Sequence, residues 1–252
     1  MKDVQNETPS NEVPINQVGI NHVRYPISVK TKSGKNQNTI ANIELTVGLS
    51  GKQRGTHMSR FIELLEDYKD NINSDVVDDI LCNMLHRFDA PLSFLTMTFP
   101  YFITVKAPVS DMESTFEATC GFIGKSHGQT TLYVKMPVTT LCPCSKEISK
   151  YGAHNQRAYV TVQITPVDFI WFEDIIESIN SCASSPIYPL LKRRDEKYVT
   201  EKAYENPRFV EDLVRAIFVK LSEYRIENIS IEVESDESIH THRAVAKITR
   251  GF

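Results

Sequence analysis

The sequence predicts an α+β fold made of two tandem units, each an antiparallel sheet with two helices packed on one face. Two observations carry this. Apolar residues alternate at period two in some stretches and recur at helical spacing in others. The order strand–strand, helix–helix, strand–strand then occurs twice, with little identity between the halves.

The first half begins with a short strand at 26–30 and a partner in which Ile43, Leu45, Val47 and Leu49 share a face, joined by the turn "KSGKNQ". Phe61, Leu64, Leu65 and Tyr68 form one helical stripe. Val77, Ile80, Leu81, Met84, Leu85 and Phe88 form a second, after "NINSD". Strands return where Leu95, Met97 and Phe99 alternate, and again at Phe116, Ala118, Cys120 and Phe122. In the second half Leu132, Val134 and Met136 alternate, then Ala158, Val160, Val162 and Ile164. Asp168 is placed to cap a helix carrying Phe172, Ile175, Ile176 and Ile179. A charged loop rich in Ser and Pro (183–205) follows, and Asn206-Pro207 is expected to open a helix with the face Val210, Leu213, Val214, Ile217 and Leu221. Ile229, Ile231 and Val233 and then "RAVAKIT" form the last strands. The expected divisions are a disordered tail at 1–16, a first unit at 17–125 and a second at 126–252. Sheets of this kind expose edges, so the units are expected to pair with each other and with further subunits.

Composition narrows the function. The formal net charge of −4 lacks the basic footprint of a nucleic-acid binder. No apolar run is long enough to cross a bilayer, and the polar N-terminus lacks a signal-peptide core, so a cytoplasmic protein is expected. Five cysteines are an odd set, read as thiols or metal ligands and not as a disulfide frame.

Four stretches could carry chemistry. In "LCPCSKEISKYGAHNQ" (141–156), Cys142 and Cys144 precede His154. A thiolate, an imidazole and a carboxylate from elsewhere would leave a coordination position open, as in a catalytic metal site. The plain alternative is a pair of loop cysteines near a surface histidine; a redox dithiol would need a strained Cys-x-Cys loop. In "DESIHTHR" (236–243), Glu237, His240 and His242 suit acid–base work or metal binding, or are merely the solvated turn of a hairpin. Glu196 lies in the charged loop, and Glu211 precedes Arg215 by four residues, the spacing of a surface ion pair. A carboxylate at Glu211 could instead accept hydrogen bonds from a guanine edge. In "GKQRGTHMSRFIE" (51–63), Arg54, His57 and Arg60 cluster near a helix start that would suit a phosphate, although no P-loop pattern is present. A solvated basic loop reads equally well.

Together "RGTHMSRF", "LCPCSKEIS", "YGAHNQR", "DEKYVTEKAYENPRFVEDLVR" and "ESIHTH" resemble, in order, the prokaryotic type IB GTP cyclohydrolase I family, over about residue 17 to the end. The resemblance implies the bimodular tunnelling fold and a homotetramer with sites at subunit interfaces. It implies hydrolysis of GTP at guanine C8, giving 7,8-dihydroneopterin triphosphate and formate, the first step toward tetrahydrofolate, with use in deazaguanine synthesis also open. Carried over by motif, Cys142, His154 and Glu196 would be the metal ligands. Cys144, Glu237, His240 and His242 would lie around the reacting base, and Glu211 would anchor the guanine edge. Arg54, His57 and Arg60 would face the triphosphate or a subunit interface. The implied cofactor is a divalent metal, Mn²⁺ or Zn²⁺, with Fe²⁺ a further candidate. Three rivals stand beside this reading. One is an archaeal-type cyclohydrolase giving a cyclic phosphate. Another is a metal-independent nitrile reductase of the same superfamily, against which the Cys142, His154 and Glu196 set argues. The third is a non-catalytic metal- or nucleotide-binding module.

Overall fold

The strands form where the period-two pattern lies, and several run further than that pattern reaches. The computed structural model describes residue 5 and residues 7–252. Among these, eight strands pair in chain order: β1 (Ile15–Lys30), β2 (Asn36–Leu49), β3 (Ser93–Lys106), β4 (Glu113–Lys125), β5 (Thr131–Leu141), β6 (Asn155–Pro166), β7 (Ile226–Asp236) and β8 (Arg243–Arg250). Six helices accompany them: α1 (Ser59–Tyr68), α2 (Ser74–Phe88), α3 (Pro143–Ile148), α4 (Phe172–Cys182), α5 (Arg193–Glu205) and α6 (Val210–Leu221). The fold is α+β, as expected. By contacts the chain divides into one unit of 1–100 and 121–132 and another of 101–120 and 133–252.

In the first unit β1 and β2 pair antiparallel through a turn in which the Thr31 hydroxyl donates to the Lys35 carbonyl at 2.7 Å. β1 starts well before the strand expected at 26–30. Its early residues, 15–22, are exposed or half-buried, and a register shift between Ile20 and Val23 breaks the alternation. His22, at φ 55°, lies in that break. Ile43, Leu45 and Val47 of β2 are buried together with Phe61, Leu64, Ile80 and Met84 of the two helices. Phe61 and Phe88 stack at 4.1 Å between centroids. Asn73 caps α2, accepting from the Val76 N–H at 3.1 Å. Of the expected tail, residues 1–4 and 6 lie outside the described residues. The Gln5 and Glu7 carbonyls accept from the Gly55 and Arg54 amides.

In the second unit β6, β7 and β8 pair antiparallel, with α6 against β7 and β8 and α4 against α6. Val160, Val162, Ile164, Ile229, Ile231, Val233, Ile176 and Ile217 are all buried to within 1%. Each such side chain contributes about 1.5–3 kcal/mol over its exposed state. Three expectations are corrected here. The segment 193–205 is the helix α5 and not a loop. Only Asp195 and Ala203 of it are buried, so it has no apolar stripe to read. Asp195 fastens its start: the carboxylate accepts from the Lys192, Val109 and Ser110 amides and from the Ser110 hydroxyl. Asp168 does not cap α4; it pairs with Arg225 at 3.4 Å, and Trp171 precedes the helix, its N–H donating to Asp174 at 3.4 Å. Pro207 does not open α6, which starts at Val210. Asn206 closes α5 by donating to the Lys202 carbonyl, and the Arg208 N–H is drawn to the Leu141 carbonyl at 3.0 Å, which keeps 206–209 out of the helix.

Candidate functional site

Three separate segments of the second unit meet at one cleft of about 460 Å³, within the range of small-molecule sites. The first runs from the end of β5 through α3 to the start of β6. Cys-x-Cys here is no strained loop. Cys142 is the N-cap of α3 and Pro143 its first residue, the position where a missing N–H costs nothing. The Cys142 Sγ accepts from the Ser145 N–H at 3.4 Å. Ser145 also ties the two ends of the segment together. Its hydroxyl donates to the Cys142 carbonyl at 3.2 Å and accepts from the His154 N–H at 3.2 Å. The Cys142 N–H donates to the His154 carbonyl at 3.1 Å. Thus a cysteine and a histidine twelve residues apart are held side by side through their backbones. Lys146 extends from α3 to the end of α5, donating to the Tyr204 carbonyl at 2.6 Å.

The second segment is the turn between β7 and β8. The His240 N–H donates to the Glu237 carbonyl at 3.2 Å, and the His240 and His242 rings stack at 4.9 Å. The third is the start of α6, where Glu211 lines the cleft. Arg215 takes the neighbouring Asp212 as its ion-pair partner at 3.9 Å, so the pairing expected from the Glu211–Arg215 spacing gives way to one three residues apart.

Cys142, Cys144, His154, Glu211, Glu237, His240 and His242 therefore line one cleft. Glu196 does not; it is exposed on α5, next to the buried Asp195. Among the described residues no group of three or more His, Cys, Asp or Glu side chains is gathered closely enough to hold a metal ion. A thiol and an imidazole in one cleft are nonetheless the donor pair a zinc-like ion takes. Arg54, His57 and Arg60 belong to the first unit, between β2 and α1. Arg54 pairs with Glu7 at 3.2 Å, and Arg60 donates to the Arg87 carbonyl at 3.2 Å.

Sequence reasoning missed Ser145, Gln156 and Thr140. Gln156 stands two residues after His154 at the start of a strand, the spacing that returns a side chain to the same face, and that signal was there to use. Its side chain contacts both His154 and Glu237. Thr140 is 1% exposed, lines the cleft, and its Oγ1 has no partner among the described residues. A buried hydroxyl without a partner is costly and marks a place made for a polar ligand or water.

The type I GTP cyclohydrolase FolE2 family matches residues 1–246. A GTP cyclohydrolase FolE2 of Citrifermentans bemidjiense is 51% identical over 90% of this chain and 86% of its own. That of Fervidobacterium nodosum is 48% identical over 99% and 97%. Among solved structures, a uricase from Bacillus fastidious aligns with a TM-score of 0.58 at 7% identity, over 94% of this chain and 93% of its own. A Bacillus sp. TB-90 urate oxidase mutant gives 0.54 at 10% identity, over 94% and 98%. At such identity the likeness speaks to fold alone, and the fold is the tunnelling fold that the sequence motifs implied. Matched along nearly its whole length by family and relatives alike, the chain belongs to the type I GTP cyclohydrolase FolE2 family.

Proposed function

We propose that this chain is a type IB GTP cyclohydrolase I, which hydrolyses GTP at guanine C8 to 7,8-dihydroneopterin triphosphate and formate, at the entry to tetrahydrofolate synthesis. The observation that carries the reading is the meeting of Cys142, His154, Glu211, Glu237, His240 and His242 in one cleft. It occurs in a chain about half identical to relatives bearing that name.

The roles follow from the chemistry of each group. Glu211 is an acceptor-only carboxylate, suited to the ring N1–H and 2-amino group of guanine. Addition of water across N7=C8 puts a hydroxyl on C8 and a proton on N7; release of C8 as formate then breaks the C8–N9 and C8–N7 bonds, each leaving nitrogen taking a proton, and His240 and His242 are suited to give these protons. Glu237 accepts a proton as water adds. Cys142 and His154 would hold a divalent metal, Mn²⁺, Zn²⁺ or Fe²⁺; Glu196, which does not line this cleft, would serve as a third donor only if supplied across a subunit interface. When bound, the metal supplies Lewis-acid activation of water near neutral pH.

The cleft also bears on assembly. Ile148, Tyr151, Ile239 and Val245, in the same segments, are 85%, 89%, 62% and 65% exposed. Apolar side chains so placed favour a cover, and we read that cover as another subunit of a homotetramer, which would also bring further donors to the metal. No helix among the described residues is long and apolar enough to cross a membrane.

The test is an assay of the purified protein with GTP and each of Mn²⁺, Zn²⁺ and Fe²⁺. The products expected are formate and a pterin that becomes fluorescent on oxidation. Absence of both across all three metals would refute the reading, and a cyclic phosphate product would replace it by the archaeal-type reaction.

A further inference from the structure

His154 and Glu237 come from different strands' ends, and one side chain joins them. The Gln156 Oε1 lies 2.8 Å from His154 Nδ1, and the Gln156 Nε2 lies 3.3 Å from Glu237 Oε1. Each contact restricts the next. An ionised carboxylate only accepts hydrogen bonds, so the amide NH₂ faces Glu237. The amide oxygen then faces the imidazole, and it too only accepts. The proton between them must therefore sit on Nδ1. The Ser238 hydroxyl, at 3.4 Å from the same nitrogen, is a second and longer partner. A neutral imidazole protonated at Nδ1 keeps its lone pair at Nε2.

We propose that Gln156 is a positioning residue that transmits the charge of Glu237 to His154, holding the imidazole as the Nδ1–H tautomer with Nε2 open as a donor atom. Ser145 grips the His154 backbone, so Gln156 needs to settle only the ring. The two ends of the amide do different work. Its oxygen sets which nitrogen of His154 can bind a metal, and its NH₂ keeps the Glu237 carboxylate aimed. The consequence for metal binding rests on the function proposed above; the tautomer itself does not.

The test separates these. The full chain, metal-free and labelled with ¹⁵N-histidine, is measured by two-bond ¹H–¹⁵N correlation, with His154 assigned by its loss in His154→Gln. The wild type is expected to show the Nδ1–H pattern at His154. Gln156→Ala is expected to lose it for a tautomer mixture and to bind Mn²⁺ about 10–100-fold more weakly, the usual range for an outer partner of a ligating histidine. Gln156→Glu keeps an acceptor for Nδ1–H but removes the donor to Glu237. It is expected to retain the tautomer and bind Mn²⁺ within a few fold of wild type, while formate release from GTP drops about tenfold or more. Thermal midpoints verify that each variant is folded. An Nε2–H pattern in the wild type, or a Gln156→Ala variant with unchanged tautomer, would overturn the proposal. The expected tautomers with no Mn²⁺ binding in any protein would leave Gln156 in its place and refute the metal assignment instead.

Discussion

Residues 51–63 and 141–156 look alike as sequence: short, with more lysine and arginine than acid, each holding a histidine, the first joining β2 to α1 and the second β5 to β6 through α3. Their structures differ. In the first, Arg54 is taken up by Glu7 and Arg60 by the Arg87 carbonyl. In the second, Cys142 and His154 are braced by Ser145 and then met by side chains from two other segments, at Glu211 and at Glu237 to His242. Composition nominates a site in both stretches; within one chain, independent segments converge on residues 141–156.

The sharpest way to break this comparison is at Glu211. Two hydrogen bonds to a carboxylate are worth roughly 1.5–3 kcal/mol each, so Glu211→Ala should lower kcat/KM for GTP by roughly 10²–10⁴-fold in steady-state kinetics. A loss under tenfold would remove Glu211 from substrate recognition. At the turn, His242→Ala should cost about 10²–10³-fold in kcat if the histidine moves a proton, whereas His57→Ala should change kcat by no more than a few fold. Equal losses would erase the distinction between the two regions.

Much of the fold was legible because the buried strands and α1, α2, α4 and α6 carry an apolar period, as Ile43 to Leu49 and Val210 to Leu221 do. α5 was not, because its stability comes from Asp195 and from exposed pairs such as Lys197–Glu201, and neither leaves a stripe. The start of β1 was hidden by a register shift that no side chain announces. Cys142 and His154 were legible as chemistry, since few other residue types ligate a soft metal. Ser145 was not, because a hydroxyl means nothing until its neighbours are known; Gln156 showed only in its two-residue spacing from His154. Glu196 stays outside the cleft lining, exposed on α5 beside the anchored Asp195.

Asp195 offers a smaller effect with a definite sign. Burial alone would raise its pKa, but hydrogen bonds from the Ser110 hydroxyl and from the Lys192, Ser110 and Val109 amides outweigh that and hold the carboxyl well below the usual range. A depressed folded-state pKa stabilises above the unfolded value, about 3.9, and the gain is lost as pH falls toward the folded one. The urea midpoint of wild type should therefore exceed that of Asp195→Asn most at neutral pH, and the gap should narrow below about pH 4. A gap that does not change with pH would mean the charge is immaterial. The smallest effect belongs to Arg54. Its pair with Glu7 is half exposed, so Arg54→Ala should cost about 0–1 kcal/mol of stability and leave KM for GTP within about threefold. A tenfold rise in KM would return residues 51–63 to the site.

The central claim is that the cleft of the second unit performs the chemistry. Its most direct test is formate release from GTP labelled at C8, with Mn²⁺, by the wild type and by folded Cys142→Ala. The account predicts one formate per pterin from the wild type and none above background from the variant; release at the wild-type rate by Cys142→Ala would contradict it.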